Sequence, residues 1–310
     1  MKEIGCTYIL IPSIGRESLR QICKDIIEDA EGFDIRIIVI SDGHEAAAKI
    51  SRFSLNDNRI IFAKNKFSPG ISGAINTGLE LVPKGGQIMF FSDDDQWLPG
   101  KISKSLNAYL KYTDTCLIFQ VRTSQTGERS IVKPGYVPKE SIEPFRYLYS
   151  KPQLLRNRRY FSLTSFIGPS EVAQISFRED LQFREDIEWV NRVTKSNFPL
   201  FLIEGVTAHV EIGYLRTVER ESIEQLKIFS SILRVESPEI EAKYIGWFFL
   251  RPYVVTGRVS YGMKILIRGK FLKRISNRKE LLGIIFLSTL GTMVKIKTWV
   301  SYFPFPRAKN

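Results

Sequence analysis

The sequence predicts an α/β fold in which a mostly parallel sheet is flanked by helices and followed by a basic, helical C-terminal region. Three observations predict it. Short β-branched runs alternate with helical patterns through the first 125 residues, the rhythm of strand–helix–strand units that cover both faces of a parallel sheet. With 310 residues and 44% hydrophobic composition, the chain can bury a substantial core. The formal charge of +12 is confined to one end: from Arg251 to Asn310 there are thirteen Lys or Arg and one acid, Glu280, so the first 250 residues are neutral overall.

The elements follow in order. "TYILIPSI" (7–14) is β-branched and interrupted by a proline, and reads as a buried strand rather than a signal peptide. "SLRQICKDIIEDA" (18–30) puts apolar residues at 19, 22, 23, 26 and 27, one stripe of a helix. "DIRIIVISDG" (34–43) is a strand ending in Asp-Gly, and "RIIFAKN" (59–65) is another. "SGAINTGLELV" (72–82) is a helix entered through a Gly-rich loop. "QIMFFSDDD" (87–95) is a strand running into three aspartates, "PGKISKSLNAYLKY" (99–112) a helix, and "TCLIFQVRT" (115–123) a strand. The stretch 126–216 is less regular. It holds a strand and turn in "FSLTSFIGPS" (161–170), a helix from about Glu185 with Ile187, Val190 and Val193 or Thr194 on one face, and a strand with its exit in "FPLFLIEGVTAHVEIG" (198–213). "VERESIEQLKIFSSILRV" (218–235) is a helix, and beyond 240 the chain is basic, aromatic and helical.

Several classes are excluded. Cys6, Cys23 and Cys116 lie far apart and only His44 and His209 supply imidazoles, so neither a disulfide framework nor a zinc site is expected, and the chain reads as reduced and cytosolic. "IPSIGRES" lacks the G-x-G-x-x-G of a nicotinamide-binding strand–helix turn.

Parallel sheets bind ligands at the carboxyl ends of their strands. Polar residues gather there: Ser13, Gly15 and Arg16; Asp42 and Gly43; Asn65 and Lys66; Asp93, Asp94 and Asp95. Three adjacent carboxylates repel one another. Either they cap the helix near Pro99, which suits one of them, or a divalent cation shared with substrate phosphates relieves the repulsion, as Mg²⁺ and Mn²⁺ do.

"FFSDDDQWLPGK" resembles the Asp-rich signature of inverting family 2 glycosyltransferases with the GT-A fold, of the kind that build bacterial surface polysaccharide or lipopolysaccharide. Other pieces stand in the same order: "ILIPSIGR" is similar to the first strand with its proline, "IIVISDG" to the second strand, "SPGISGAINTGLELV" to the Ala-Arg-Asn-x-Gly segment, and "FREDLQFREDIEWVNRV" to the segment carrying the catalytic base. The resemblance covers about residues 5 to 213. It departs at Ile75, where the family has arginine, and at Ser92, where many members have the first acid. It implies a GT-A, Rossmann-like catalytic domain over 1–216, with 1–125 taking the nucleotide-sugar and 126–216 the acceptor, and a membrane-associating region over 217–310.

The resemblance also implies roles. A nucleotide-sugar donor, by family habit a UDP-sugar, would meet Pro12, Arg16, Asp42, Lys66, Gly73, Asn76 and Asp93. Asp42 would accept from the base N–H, and Arg16 and Lys66 would reach base or diphosphate. Gly73 would permit close backbone approach, while Asn76 would reach the nucleotide or brace the loop. Mn²⁺ or Mg²⁺ would be held by Asp94, Asp95 and His209, with Asp93 facing the ribose or sharing the metal. Asp186 would act as general base on the acceptor hydroxyl, with Glu185 beside it. The bland alternatives are an Asp-Gly turn, solvated loop charges and acids that complement a helix dipole. Trp97 suits the core, and Trp189 is a candidate to stack on a sugar.

The tail interleaves cations with aromatic residues. Its longest charge-free apolar run, "LLGIIFLSTLGTMV" (281–294), is short of the ~20 residues that span a bilayer and suits an interfacial helix. This places the chain peripherally on the cytoplasmic face of an anionic cell membrane, near a saccharide or lipid-linked acceptor. The rival reading is a non-catalytic nucleotide- or nucleic-acid-binding protein using the basic tail. No nucleic-acid motif accompanies the cations, so no nucleic acid is expected.

Overall fold

The computed structural model describes residues 5–53, 56–112, 114–124, 130–150, 159–160, 162–211, 222–249, 253 and 258–271. The chain divides into two compact units, Met1–Tyr147 with Asn157–Ile212, and Leu148–Arg156 with Gly213–Asn310.

The first unit is built on a nine-stranded sheet. Its strands are β1 (Thr7–Ser13), β2 (Ile35–Ser41), β3 (Ile60–Lys64), β4 (Gln87–Phe90), β5 (Gln96–Trp97), β6 (Cys116–Ser124), β7 (Ile131–Lys133), β8 (Phe166–Pro169) and β9 (Leu200–Glu211). The order is β3-β2-β1-β4-β8-β6-β9-β5, with β7 on β6. β1 to β4 pair in parallel. The antiparallel β8 joins β4 to β6, so β6 and its parallel partner β9 run with the first four, while β5, β7 and β8 run against them.

Helices cover both faces. α1 (Ser18–Asp29) and α4 (Lys101–Tyr109) lie against one of them. There Leu19, Ile22, Cys23, Ile26, Ile102 and Leu106 join Ile9, Ile11, Ile37, Val39, Met89, Phe91 and Leu117 in one core. α3 (Ile71–Leu79) and α6 (Glu185–Lys195) take the other face. α3 sits so close that a Cβ on Gly78 would lie 2.8 Å from Leu10 and 2.9 Å from Ile40. Burial on both faces is why these strands read as near-continuous apolar runs. α2 (His44–Ile50) and α5 (Pro144–Tyr149) complete the described helices of this stretch, with single 3₁₀ turns at Leu163–Ser165 and Ser170–Gln174.

The second unit packs α7 (Ile223–Glu236) against α8 (Pro238–Lys243), which runs on as a wider π turn over Tyr244–Phe248, and ends its described part with α9 (Val259–Arg268). Tyr149, Phe229, Tyr244 and Phe248 form an edge-to-face aromatic cluster. Buried Glu241 is neutralised by Arg234 at 2.6 Å. The apolar run at 281–294 lies outside the described residues, and among those described no helix is long and apolar enough to cross a membrane.

One tertiary contact fixes how the aspartate turn leaves β4. Gly100 is the N-cap residue of α4, and the capping carboxylate comes from Asp29, the last residue of α1. That carboxylate accepts from Gly100 N at 2.5 Å, Ile102 N at 3.0 Å and Trp97 Nε1 at 3.0 Å. It satisfies orphan amides that the chain's own turn leaves bare. Asp29→Ala is expected to lower unfolding stability by about 1–2 kcal/mol, read as a shift in the urea midpoint. An unchanged midpoint would contradict this capping role.

Candidate functional site

β1 leads by way of α1 to β2 on one side, while β4, reached by way of α3, lies on the other. β1 is therefore a switch point, and its carboxyl end borders a crevice. Pro12 lies in β1 opposite Ile40, beyond the stretch where β1 pairs with β4. A residue with no N–H costs no ladder bond on that open side.

Asp93, three residues beyond β4, stands at this crevice with its side chain only 2% exposed. A buried carboxylate needs partners. Ser13 Oγ donates to its Oδ2 at 2.6 Å and Arg16 Nη1 pairs with its Oδ1. Ser18 Oγ donates to its carbonyl at 2.6 Å, and Gly15 N donates to Ser13 Oγ at 2.9 Å. The loop after β1 is thereby wrapped around the first aspartate. Arg16 also reaches Asp94, Nη2 to Oδ2 at 3.5 Å. Asp94 is exposed and accepts from Ser92 Oγ, so the serine that replaces an acid here still serves the cluster.

Asp95 faces elsewhere. Its carboxylate accepts from Thr164 Oγ1, and burial pushes it up to about 7. Near it lies Lys101, fully buried and pushed down to about 7 by the same loss of water. Its Nζ donates to Thr164 O and stands 5.2 and 5.0 Å from the rings of Phe91 and Trp97. None of the three aspartates caps α4; Asp29 does.

A second cluster sits at the ends of β2 and β3. Asp42 N continues the ladder to Ser13 O at 2.9 Å, and Asn65 N to Ser41 O at 3.0 Å. Gly70, at φ 121°, is the residue before α3, and its N–H donates to both Asp42 oxygens, at 3.1 and 3.0 Å. A Cβ on Gly73 would lie 2.1 Å from Ser68 O. The close approach that this glycine permits is therefore made by the protein's own loop.

Asn76 is buried and forms a two-way bond with Phe177, Nδ2 to O at 3.0 Å and Oδ1 from N at 2.7 Å. It braces the segment before α6. Glu179, which the sequence reading left outside the site, locks this brace: it accepts from Asn76 Nδ2 and Ser68 N at 3.0 Å and from Ser68 Oγ, and the Ser68 hydroxyl holds it below the usual carboxylate range. Lys66 turns its ammonium to Glu80, 3.2 Å away on the surface. A cavity of about 400 Å³ lies against β2 and β3, lined by Val39, Ser41, Ala47, Ile50, Phe62 and Lys64 among others.

Asp186 stands in the first turn of α6 beside Glu185. Burial raises its carboxyl above the ordinary range, against hydrogen bonds from the Ile187 and Asp186 amides and the charge of Arg184. Trp189, one turn on, is fully buried. It stacks on Phe177 at 4.7 Å and meets Phe90 and Phe166 edge-on, and its Nε1 donates to Ile175 O. It cannot stack on a sugar, because its faces belong to the core. Instead it joins α6 to Phe90, three residues before Asp93.

The family model for glycosyl transferase family 2 matches residues 8–173, just over half of the chain. The chain belongs to glycosyl transferase family 2. Comparison of this glycosyltransferase with curated proteins gave no match. Among solved structures it is similar to residues 1–349 of S. aureus TarS in complex with UDP-GlcNAc, at 11% identity and TM-score 0.58, covering 94% of this chain and 92% of that one. The UDP complex of the same protein gives 12% identity and TM-score 0.54 with the same coverage. At such identity the likeness speaks for the fold.

The remaining candidate of the glycosyltransferase is His209. It lies on β9 opposite Gln96 of β5, two residues beyond Asp94, and its Nε2 is 2.8 Å from Ser124 Oγ. Among the described residues no three His, Cys, Asp or Glu converge as metal ligands.

Removing one partner of a buried charge strands the other. Arg16→Met is expected to destabilise the fold by about 1–3 kcal/mol, discounted because Arg16 is a third exposed. The check is urea unfolding, and a variant as stable as the parent would show that Ser13 alone satisfies Asp93.

Proposed function

We propose that this glycosyltransferase moves a sugar from a nucleoside diphosphate donor, a UDP-sugar, to a hydroxyl of a saccharide or lipid-linked acceptor, with inversion. The observation that carries the reading is the separation of two kinds of carboxylate in a family 2 chain. Asp93 and Asp94 follow β4 in a crevice lined by the Arg16 guanidinium and the Ser13 hydroxyl, whereas Asp186 opens a helix with its proton affinity raised. The TarS complexes with UDP-GlcNAc and UDP, on a similar fold, support uridine as the nucleoside.

In this reading Ser13, Arg16 and Asp93 form the floor under the donor, and Asp42 meets the base. Arg16, held by two aspartates, lies at the turn that the departing diphosphate would face. Asp94 is exposed there, while Asp95 is engaged by Thr164. One exposed carboxylate, with His209 on the neighbouring strand, suits a Mg²⁺ or Mn²⁺ ion that takes most of its ligands from water and phosphate. Such an ion would supply charge neutralisation for the diphosphate leaving group.

Asp186 takes the proton from the acceptor hydroxyl as that oxygen attacks the anomeric carbon opposite the diphosphate, and Glu185 flanks it. A raised carboxyl suits a base, because proton transfer is most effective when its pKa approaches working pH. A base works only when deprotonated. The acid limb of kcat/KM should therefore lie above the usual carboxylate range, with activity falling as pH drops through it. Asp186→Asn should cut transfer by about a hundredfold to ten-thousandfold while donor binding persists. Wild-type turnover in that variant would refute the assignment.

The basic tail gives the acceptor reading its second support. Thirteen cations over 251–310, interleaved with aromatic residues, suit the surface of an anionic leaflet on the cytoplasmic side, in cell-surface polysaccharide or lipopolysaccharide synthesis. At about 1 kcal/mol per basic residue near such a surface, replacing Lys273, Arg274, Arg278 and Lys279 by serine should release most of the chain from anionic vesicles. Equal sedimentation of the two proteins would remove the membrane from the account.

A further inference from the structure

Asp42 is surrounded by an unusually determinate set of contacts. Its Oδ1 accepts from Asn65 Nδ2 at 2.9 Å and from Gly70 N at 3.1 Å, and its Oδ2 from Gly70 N at 3.0 Å. Oδ1 thus carries two donations and Oδ2 one. A carboxylate offers about four lone-pair sites, so Oδ2 keeps acceptor capacity.

Asn65 cannot turn its amide over. Its Oδ1 accepts from Phe67 N at 2.9 Å and from Thr77 Oγ1 at 3.3 Å, while its Nδ2 also donates to Ser68 O at 2.9 Å. A flipped amide would set its oxygen against the Asp42 carboxylate and the Ser68 carbonyl, and its NH₂ against the Phe67 N–H. The network assigns the orientation. Thr77 stands behind it: its Oγ1 accepts from Lys66 N at 2.9 Å, and its single proton is shared between Gly73 O at 3.1 Å and Asn65 Oδ1 at 3.3 Å. Thr77 is fully buried on α3, so the chain of contacts runs from the sheet-covering helix to the carboxylate.

We propose that Asn65, held by Thr77, is a positioning residue for base specificity, an inference that rests on the donor reading above. By donating to Oδ1 it fixes how the Asp42 carboxylate is turned, leaving the spare acceptor capacity on Oδ2. The carboxylate then takes a base that carries N–H on its reading edge, such as uracil at N3, and rejects one with a bare ring nitrogen there, such as cytosine. A site built to accept a hydrogen bond discriminates, because a partner without the donor leaves the half-buried acceptor facing a second lone pair. Asn65 acts through Asp42 and need not touch the nucleotide.

The test is calorimetric titration of the full chain with UDP and with CDP. Wild-type protein should prefer UDP. In Asn65→Ala the UDP-to-CDP affinity ratio should fall about tenfold, the size of one hydrogen bond to a charged group. Thr77→Val keeps the shape of α3 and removes the hydroxyl behind the amide, so its ratio should fall by about threefold even if Asn65→Ala fails to fold. A purely structural role would weaken both nucleotides alike and leave the ratio unchanged, which would overturn the inference alone. Wild-type protein that binds neither diphosphate would overturn the donor reading and this inference with it.

Discussion

The structure turns on a buried negative charge. Asp93, just beyond β4, is almost without water, and an uncompensated carboxylate there would cost several kcal/mol. The compensation comes from the loop after β1: a hydroxyl from Ser13, a guanidinium from Arg16, and Ser18 on the carbonyl. These contacts fasten the β1–α1 connection to the end of β4 across the switch point of the sheet. Asp29, twelve residues along the same helix from Glu17, then caps α4 on the far side of the aspartates. The turn that presents Asp94 is held at both ends by one helix.

A second set of contacts does the same for the other half of the rim. Asp42, Asn65, Ser68, Asn76, Glu179 and Phe177 form a continuous polar path from β2 to the segment before α6, and Trp189 closes it on Phe90. Networks of this kind are costly when half satisfied and specific when complete. Asp93 and Asp186 of α6 are thereby linked through the same strand, although 93 residues separate them in sequence.

Much of the fold was legible because its signals are local. The β-branched runs of β1, β2 and β3 and the 3.6-residue stripe of α1 fall where periodicity puts them, and α6 begins at Glu185 as read. The aspartates, however, stand beyond the end of β4, which stops at Phe90. α2 was missed because "HEAAAKI" offers only seven residues and no clear stripe, and β5 and β7 are two and three residues long, below any periodic signal. In the site, residue type located the rim but not the partners. Triple aspartate invited one shared explanation, yet the three side chains face Ser13 and Arg16, Ser92, and Thr164. Gly73 was read toward a ligand, and its close neighbour is Ser68; Asn76 was read as reaching the nucleotide or bracing the loop, and its contacts with Phe177 are those of a brace. Glu179, Asn65 and Thr164 act through tertiary bonds with partners up to 111 residues away, which no spacing rule reveals. Trp189 looked like a sugar platform because a helix face shows only which residues are aromatic, not what packs on them.

Every role proposed at the rim depends on where the donor sits. Hydrogen exchange of the full chain, with and without a UDP-sugar, measures that directly. Slowed exchange is expected at residues 13–18, 42–43, 65–70 and 92–95, at or just beyond the ends of β1, β2, β3 and β4, with the rest of the cavity against β2 and β3 and the second unit unchanged. Protection confined to that cavity or to the second unit, with the four strand ends exchanging as before, would contradict it.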